Sequence, residues 1–333
     1  MLTFLSTSFR ISDQEEIGPL IGHPFRDIIV ESESISWGSD PTANISASLH
    51  ILNSGFLAEK SYEAIINTLK GQTIVLIGDS LTRFQYLSLV YFLEYGVWST
   101  EKISGFDGRH AINEKQWGSW NDYYNQTNHF LRGRETCDCF RSEPFNYTET
   151  YENRRYENNE FNFRIYYLQF FKLDDGIKGH YGYPPSDSIF RSPTYTVSPD
   201  PDWRWQIDVA QDFLLPLIRP NVLVMNSGLW GSTQKWPENL LRRTLSLAKK
   251  HADVVIWKTT TQNRDGGITN DYDKPAIEIV KSLNLHLMDA WALTDNLHSL
   301  NYDSYWDTLH FEEHVYRELN LYLIRMIESI QMQ

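Results

Sequence analysis

Two short blocks of the sequence contain the residue types that nucleophilic catalysis requires. Residues 78–81 read Gly-Asp-Ser-Leu, where a buried strand should run into a helix, and residues 307–310 read Asp-Thr-Leu-His, just before the last helical stretch. A serine, a histidine and a carboxylate that meet across a fold are the minimum equipment for acyl transfer. The sequence therefore predicts Ser80 as nucleophile, His310 as general base and Asp307 as the residue that orients the histidine ring.

The position of Ser80 favours this role but has a second interpretation. In open α/β sheets, sites form beyond the carboxyl ends of the strands. A helix N-terminus also presents unpaired N–H groups, including that of Ser80, which can hold a developing oxyanion. Serine is equally a preferred N-cap residue. Taken alone, Ser80 fits either role.

The Asp-x-x-His spacing occurs more than once, so it does not select a site by itself. We favour the last pair because it lies after the last core strand and before the final helix. The middle pair follows the same strand and is the serious alternative, whereas the first pair lies in an irregular region. The three pairs are Asp107/His110, Asp295/His298 and Asp307/His310.

Two further side chains are candidates for the oxyanion site. Asn226 ends a buried strand in the run Asn-Ser-Gly-Leu-Trp, and its carboxamide could point an N–H at the oxyanion. The same run also fits a turn that simply reverses the chain. Arg83 lies one helical turn after Ser80 and could contact substrate or polarise a carbonyl. A surface salt bridge is the alternative for Arg83.

Composition limits the classes of partner. The chain has 333 residues, is 41% hydrophobic and carries a net charge of -13, which is typical of a globular protein with a sizeable core. No Lys/Arg run supplies a basic face, so we expect neither a nucleic-acid partner nor purely electrostatic binding to anionic lipid. No run of about 18 apolar residues predicts a transmembrane span in this chain.

Aromatic residues make up 14% of the chain, with 11 Trp and 19 Tyr. Their flat apolar faces with a polar edge suit the faces of sugar rings, and ordinary core packing is the alternative.

Acceptor triplets for N-glycosylation begin at Asn44, Asn125 and Asn146, all in expected loops, and they favour a secretory route. The two cysteines, Cys137 and Cys139, are too few for a structural zinc site, and we interpret them as loop thiols, free or transiently bridged.

Apolar runs that end at turn residues alternate with amphipathic stretches along the second half of the chain. This alternation predicts an α/β fold, a three-layer α/β/α sandwich with a mostly parallel sheet and helices on both faces. The predicted strands are 72–77, 162–171, 221–226, 253–259 and 285–288, and the predicted helices are 81–97, 205–218, 238–251, 274–283 and 312–330.

The remaining segments give the expected domain organisation. Residues 1–60 have no strong period and are expected to form an N-terminal lead that packs on the core. Residues 61–333 are expected to form the catalytic domain. Within it, residues 99–200 are rich in Trp, Tyr, Asn and Gly and predict an insertion beside the active site.

Four blocks, in this order, resemble a known group of enzymes. Residues 78–85 read GDSLTRFQ, residues 226–230 NSGLW, residues 257–261 WKTTT and residues 307–311 DTLHF. The chain is similar to the SGNH/GDSL hydrolase superfamily, which has a flavodoxin-like fold. Within it, the chain most resembles the PC-esterase branch that includes the trichome-birefringence-like polysaccharide O-acetyltransferases of plants.

The resemblance implies a role for each matching residue. It implies Ser80 as nucleophile, Asp307 and His310 as the aspartate and histidine of the triad, and Asn226 and Arg83 in the oxyanion region. The plant enzymes also carry a cysteine-rich N-terminal part, whereas this sequence has two cysteines, and a membrane anchor, for which this sequence shows no apolar run of sufficient length. Together with the N-glycosylation triplets, the resemblance favours a location in the Golgi or outside the cell.

The expected reaction is O-acyl transfer, most simply of acetyl, to or from a carbohydrate through an acyl-enzyme on Ser80. The expected partners are a small acyl donor and a carbohydrate acceptor or acetylated glycan, and no metal or organic cofactor is required. An acetyltransferase is preferred, an acetyl ester hydrolase is the first alternative, and a catalytically silent carbohydrate-binding protein on the same fold is the second.

Overall fold

The computed structural model describes residues 60–99, 102–103, 106–107, 120–139, 152–170, 207, 210–230, 232–299 and 304–332. The centre of this part of the chain is a seven-stranded sheet. Its order is β4-β5-β6-β1-β7-β8-β9, and β2 and β3 form a separate two-stranded ribbon. The strands are β1 (Thr73–Gly78), β2 (Lys102–Ile103), β3 (Phe106–Asp107), β4 (Glu135–Cys139), β5 (Glu152–Asn158), β6 (Phe163–Gln169), β7 (Val222–Met225), β8 (Val254–Lys258) and β9 (His286–Met288).

Five of these strands run parallel, and β4 and β5 extend the sheet as antiparallel strands. Numbered along the chain, the parallel strands lie in the spatial order 2-1-3-4-5, which is the flavodoxin-like arrangement. In this order β1 occupies the centre, between β6 and β7. The predicted fold class, an α/β fold with a mostly parallel sheet, is confirmed.

Helices cover both faces of the sheet and make it the middle of three layers. Along β1, Ile74 and Leu76 face one apolar cluster and Val75 and Ile77 face the other. The first cluster receives α1, α2 and α8, and the second receives α4, α5 and α6. The helices are α1 (Tyr62–Leu69), α2 (Ser80–Tyr95), α3 (Trp120–Phe130), α4 (Leu215–Ile218), α5 (Glu238–His251), α6 (Lys274–Ser282), α7 (Ala290–Ser299) and α8 (Glu313–Gln331).

The predicted elements of the parallel core are found within one or two residues of their expected ends, with one exception. The helix expected over residues 205–218 contains a π-helical turn, Ala210–Leu214, ahead of the short α4. The sequence did not predict α7, which follows β9 directly.

The expected insertion over residues 99–200 is partly core. In its described residues, β6 lies beside β1 in the middle of the sheet, and β4 and β5 continue the sheet outward. Two smaller expectations are wrong for the same reason, because regular structure replaces the expected loops. Cys137 and Cys139 lie in β4, and Asn125 lies in α3. Asn44 and Asn146 lie outside the described residues.

The N-terminal lead also lies outside the described residues, apart from Lys60, so its packing on the core stays a prediction. The first described helix, α1, begins with Ser61 as N-cap, whose hydroxyl accepts from the N–H of Ala64. None of the described helices is both long and apolar enough to span a bilayer.

Candidate active site

The turn between β1 and α2 places Ser80 at the carboxyl edge of the sheet. Gly78 allows this tight turn because a Cβ atom there would lie 2.2 Å from the Thr82 hydroxyl oxygen. Tyr167 of β6 steadies the turn, since its hydroxyl lies 3.1 Å from the carbonyl oxygens of both Gly78 and Asp79. Ser80 is therefore the first residue of α2, held where β1 ends.

Ser80, His310 and Asp307 form one hydrogen-bonded chain. The Ser80 Oγ lies 2.8 Å from His310 Nε2, and His310 Nδ1 lies 2.9 Å from Asp307 Oδ2. The second carboxylate oxygen, Oδ1, accepts the backbone N–H groups of Leu309 and His310 at 2.7 Å each. The histidine and aspartate side chains are 15% and 21% exposed, so the chain of three groups is accessible from solvent.

Aromatic rings hold His310 in this orientation. Phe84, one turn after Ser80 on α2, meets the imidazole edge-on with ring centroids 5.2 Å apart, and Trp306 does so at 5.7 Å. Phe84 and Trp306 also contact each other at 5.2 Å. Since these rings fill the space around the imidazole, rotation of His310 away from Ser80 would require repacking.

Asn226 lies beside the turn between β1 and α2. Its backbone N–H donates to Ile77 O at 2.9 Å, which continues the pairing of β7 with β1. Its side chain is buried, and Nδ2 donates to Lys258 O at 2.9 Å. A carboxamide nitrogen carries two protons, so this bond leaves one available for a substrate oxygen.

Asp79 ties the two loops of the site together. Its Oδ1 accepts the backbone N–H of Leu81 at 3.1 Å, and its Oδ2 accepts that of Leu229 at 2.8 Å. Gly228 permits the second contact, since its φ is +73° and a Cβ atom there would lie 2.4 Å from the Asp79 carboxylate. Among the described residues, no acceptor pairs with the backbone N–H of Ser80.

Arg83 is buried and paired with Glu152 of β5. Its Nη1 lies 2.8 Å from Glu152 Oε2, and its guanidinium lies 4.7 Å from the centroid of the Phe84 ring. Glu152 also pairs with Arg154, which pairs with Glu135 at 2.8 Å. All of these side chains are almost completely buried. The alternative of a surface salt bridge is therefore wrong, because the arginine lies within an interior ionic network.

The rival Asp-x-x-His pairs are placed differently. Asp107 lies in β3, and His110 lies outside the described residues. Asp295 lies in α7, where its Oδ1 accepts from Gln262 Nε2 at 3.1 Å. The side chain of His298 is not described. The pair Asp307 and His310 is the one that meets a serine among the described residues.

Sequence reasoning missed three charged groups close to these residues. Asp79 was noted only as part of the block that contains the serine. Lys258, the last residue of β8, reaches α2, and burial lowers its pKa to about 8. Asp273 accepts a hydrogen bond from the backbone N–H of Thr260. Burial raises the pKa of Asp273 to about 6. A charged residue at the end of an otherwise apolar strand was the available signal for Lys258.

No group of His, Cys, Asp and Glu side chains among the described residues has the arrangement of a metal site. The described groups are suited to nucleophilic chemistry. His310 Nε2 can accept the Ser80 hydroxyl proton while Asp307 stabilises the resulting imidazolium.

Comparison with known proteins gives a structural likeness only. No family model matches the chain, and no curated protein matches it. Among solved structures, it is similar to the acetylxylan esterase Axe2 from Geobacillus stearothermophilus, with 13% identity and a TM-score of 0.39, covering 78% of this chain and 94% of that one. A catalytic mutant and a second variant of that esterase match with TM-scores of 0.38 and the same identity.

Proposed function

We propose that this protein is a serine-dependent enzyme of the SGNH type that transfers O-acetyl groups to or from a carbohydrate. The observation that carries the proposal is the continuous chain from Ser80 Oγ through His310 to Asp307, with separations of 2.8 and 2.9 Å. Those are hydrogen-bonding distances suited to proton transfer between a nucleophile and its base.

In the first half-reaction Ser80 Oγ attacks the ester carbonyl as His310 Nε2 takes its proton. Asp307 stabilises the imidazolium through Nδ1. Collapse of the tetrahedral intermediate expels the alcohol, which receives the proton from His310, and leaves an acetyl ester on Ser80. In the second half-reaction an acceptor hydroxyl loses its proton to His310 and attacks that ester. As the bond between the acyl carbon and Ser80 Oγ breaks, His310 returns the proton to Ser80 Oγ.

Two N–H groups are proposed as oxyanion donors. Ser80 contributes its backbone N–H at the start of α2, where the helix dipole also favours negative charge. Asn226 contributes the carboxamide proton that Lys258 O does not use. Arg83 is proposed to act in the same region indirectly, since its pairing with Glu152 anchors α2 one turn beyond the nucleophile.

A carbohydrate is proposed as the substrate because an aromatic side chain is exposed in the loop after β7. Trp230 lies four residues after Asn226 and is 56% exposed, whereas the other Phe, Trp and Tyr side chains whose exposure the structure describes are buried or partly buried. An exposed indole offers a flat apolar face with a polar edge, as sugar rings require. The resemblance to polysaccharide O-acetyltransferases favours the same substrate class.

The acceptor decides between transfer and hydrolysis. A sugar hydroxyl as acceptor makes the protein an acetyltransferase, which the resemblance to the PC-esterase branch favours, and water makes it an acetyl esterase. Both reactions use the same acyl-enzyme. They are distinguished by adding acetylated donor with and without unacetylated oligosaccharide and measuring acetate against newly acetylated sugar.

The primary experiment is intact-mass spectrometry after incubation with p-nitrophenyl acetate. We expect an acetyl adduct that maps to Ser80 in the wild type and is absent from Ser80→Ala. Ser88→Ala is the matched control, because Ser88 lies on the same helix, is buried and takes no part in the site. It should acylate like the wild type.

Two results would overturn the proposal. Activity of Ser80→Ala on acetylated sugars at the wild-type level would exclude Ser80 as nucleophile. Glycan binding that survives both Ser80→Ala and His310→Ala, with no adduct and no turnover of any acetyl ester, would identify a silent carbohydrate-binding protein instead.

A further inference from the structure

Lys258 brings an ammonium group into the interior beneath the nucleophile helix. It is the last residue of β8, and the residue is only 1% exposed. Its Nζ donates to Thr82 Oγ1 at 3.0 Å and to Gln85 Oε1 at 2.9 Å. Both acceptors lie in the first two turns of α2, so the side chain spans from the strand end to the helix that starts with Ser80.

This ammonium forms no ion pair with any described residue, because none of their carboxylates lies within 4.0 Å of a Lys258 nitrogen. The charged groups that act on it from the surrounding elements are Asp79, in the turn before α2, and Asp273, just before α6. Both attract a positive charge, whereas burial opposes it and lowers the pKa of Lys258 to about 8. Burying a charge that neutral groups alone solvate is costly.

The backbone of the same residue contacts the other half of the site. Lys258 O accepts the hydrogen bond from Asn226 Nδ2 at 2.9 Å. Thr82 accepts a hydrogen bond from this ammonium. The Thr82 hydroxyl also lies over Gly78, in the turn before Ser80. Lys258 therefore touches both the helix that carries the serine and the carboxamide proposed as oxyanion donor.

We propose that Lys258 is a positioning residue for acyl transfer, which holds the first turns of α2 against the end of β8 and so fixes Ser80 relative to Asn226. The inference rests on the proposed function. A displacement of about 1 Å between a nucleophile and its oxyanion donors costs on the order of 100-fold in rate. The gain in rate from holding α2 in place therefore offsets the free-energy cost of burying the Lys258 ammonium.

The test compares Lys258→Met, which keeps length and apolar volume but cannot donate, with Lys258→Arg, which keeps the charge. Acylation by p-nitrophenyl acetate is followed under saturating and limiting substrate. We expect Lys258→Met to lower kcat by about 10- to 100-fold with KM changed far less. Lys258→Arg should recover part of that loss. The wild-type pH profile should show an ionisation near the pKa of Lys258 that Lys258→Met lacks.

Two less disruptive substitutions, both of threonine to valine, keep the inference testable if the lysine variants fail to fold. Thr82→Val removes one acceptor of the ammonium, and we expect kcat to fall about 3- to 10-fold. Thr68→Val is the matched control, because Thr68 is a buried helical threonine whose hydroxyl, among the described residues, bonds to Ala64 O in α1 alone. It should leave kcat unchanged. Equal kcat for Thr82→Val, Thr68→Val and the wild type would overturn the inference.

Failure of the proposed function is recognised separately. If the wild type forms no adduct at Ser80, the reaction is wrong, and hydrogen exchange of residues 80–86 then tests the tether alone. Faster exchange in Lys258→Met than in the wild type would support it, and identical exchange would overturn it. If the wild type acylates and Lys258→Met acylates at the same rate, the inference fails while the proposed function stands.

Discussion

The carboxylate of Asp79 accepts the backbone N–H of Leu229 at 2.8 Å, which joins the turn that carries Ser80 to the loop that carries Asn226. Asp79 is 1% exposed, so this bond is shielded from competing water. The same carboxylate caps α2 through Leu81. One buried side chain therefore sets both the start of α2 and the position of the neighbouring loop.

The close approach of Asp79 to the loop predicts that Gly228 cannot be replaced. In Gly228→Ala the new Cβ would meet the carboxylate at 2.4 Å, and φ at this position is +73°. We expect a loss of about 2–5 kcal/mol in the free energy of unfolding, since a left-handed conformation costs about 1–2 kcal/mol and overpacking about 1–3 kcal/mol. The rate of acylation by p-nitrophenyl acetate should fall with it. Denaturant unfolding and kcat/KM are the measurements.

Gly71→Ala is the control for this prediction. Gly71 has almost the same φ, +74°, but nothing lies within 4 Å of the added Cβ. It should cost only the conformational part, about 1–2 kcal/mol, and leave kcat/KM unchanged. Equal losses in the two variants would show that contact with Asp79 has no energetic consequence.

Asp295 and Asp307, the aspartates of the two Asp-x-x-His pairs that follow β9, make the choice of orienting residue testable. Asp307→Asn would deprive His310 Nδ1 of its acceptor at 2.9 Å and disturb the ring's tautomer. We expect kcat to fall by about 10³- to 10⁴-fold, with the melting temperature changed little. Asp295→Asn, in the rival pair, should change kcat by less than about 3-fold. Steady-state kinetics on an acetyl ester would reject our assignment if the two effects were reversed.

The parallel core was predictable because its strands are continuous apolar runs. Residues 74–77 and 222–225 are buried on both faces of the sheet, and such strands read as short unbroken hydrophobic segments. The helix-start serine and the histidine before α8 were found for a related reason, since both lie where a strong periodic pattern begins. The contact between Ser80 and His310 depends on the tertiary fold. The sequence predicted it only because the two residue types are suited to nucleophilic catalysis.

Charged strands were not predictable in the same way. β5 reads Glu-Asn-Arg-Arg-Tyr-Glu-Asn, which resembles a solvated loop, yet Arg154 and Glu152 within it are buried. Their partners include Arg83 of α2 and Glu135 of β4, which are distant in the chain, and a sequence does not reveal which charges will pair. The roles of Asp79 and Lys258 were missed for this reason, since each contacts residues distant in the chain.

The buried network of β5 gives a stability prediction with an adjacent control. Arg154 pairs with Glu135 and Glu152, and all three side chains are almost fully buried. Arg154→Met would leave the buried Glu135 without an ion-pair partner among the described residues and Glu152 paired with Arg83 alone. We therefore expect a loss of about 3–5 kcal/mol in the free energy of unfolding. Arg155→Met, which breaks a half-exposed pair with Glu157, should cost no more than about 1 kcal/mol. Similar losses in urea unfolding would contradict the burial argument.

Asp273 predicts a specific dependence of stability on pH. Burial raises its pKa from 3.8 to about 6, so the folded protein binds a proton there more tightly than the unfolded chain does. The contribution of this group to stability is therefore complete below pH 3.8 and is lost as the pH rises through about 6. At about 1.4 kcal/mol per pH unit, the loss amounts to about 3 kcal/mol.

Asp273→Asn should remove that dependence. Compared with the wild type, its free energy of unfolding should become relatively more favourable as the pH is raised from 4 to 7, by up to about 3 kcal/mol. Asp271→Asn is the control, because Asp271 lies in the same turn and is exposed, and its curve should follow the wild type. Urea unfolding at a series of pH values measures the difference. A constant offset between Asp273→Asn and the wild type across this range would show that Asp273 does not titrate differently in the folded and unfolded states.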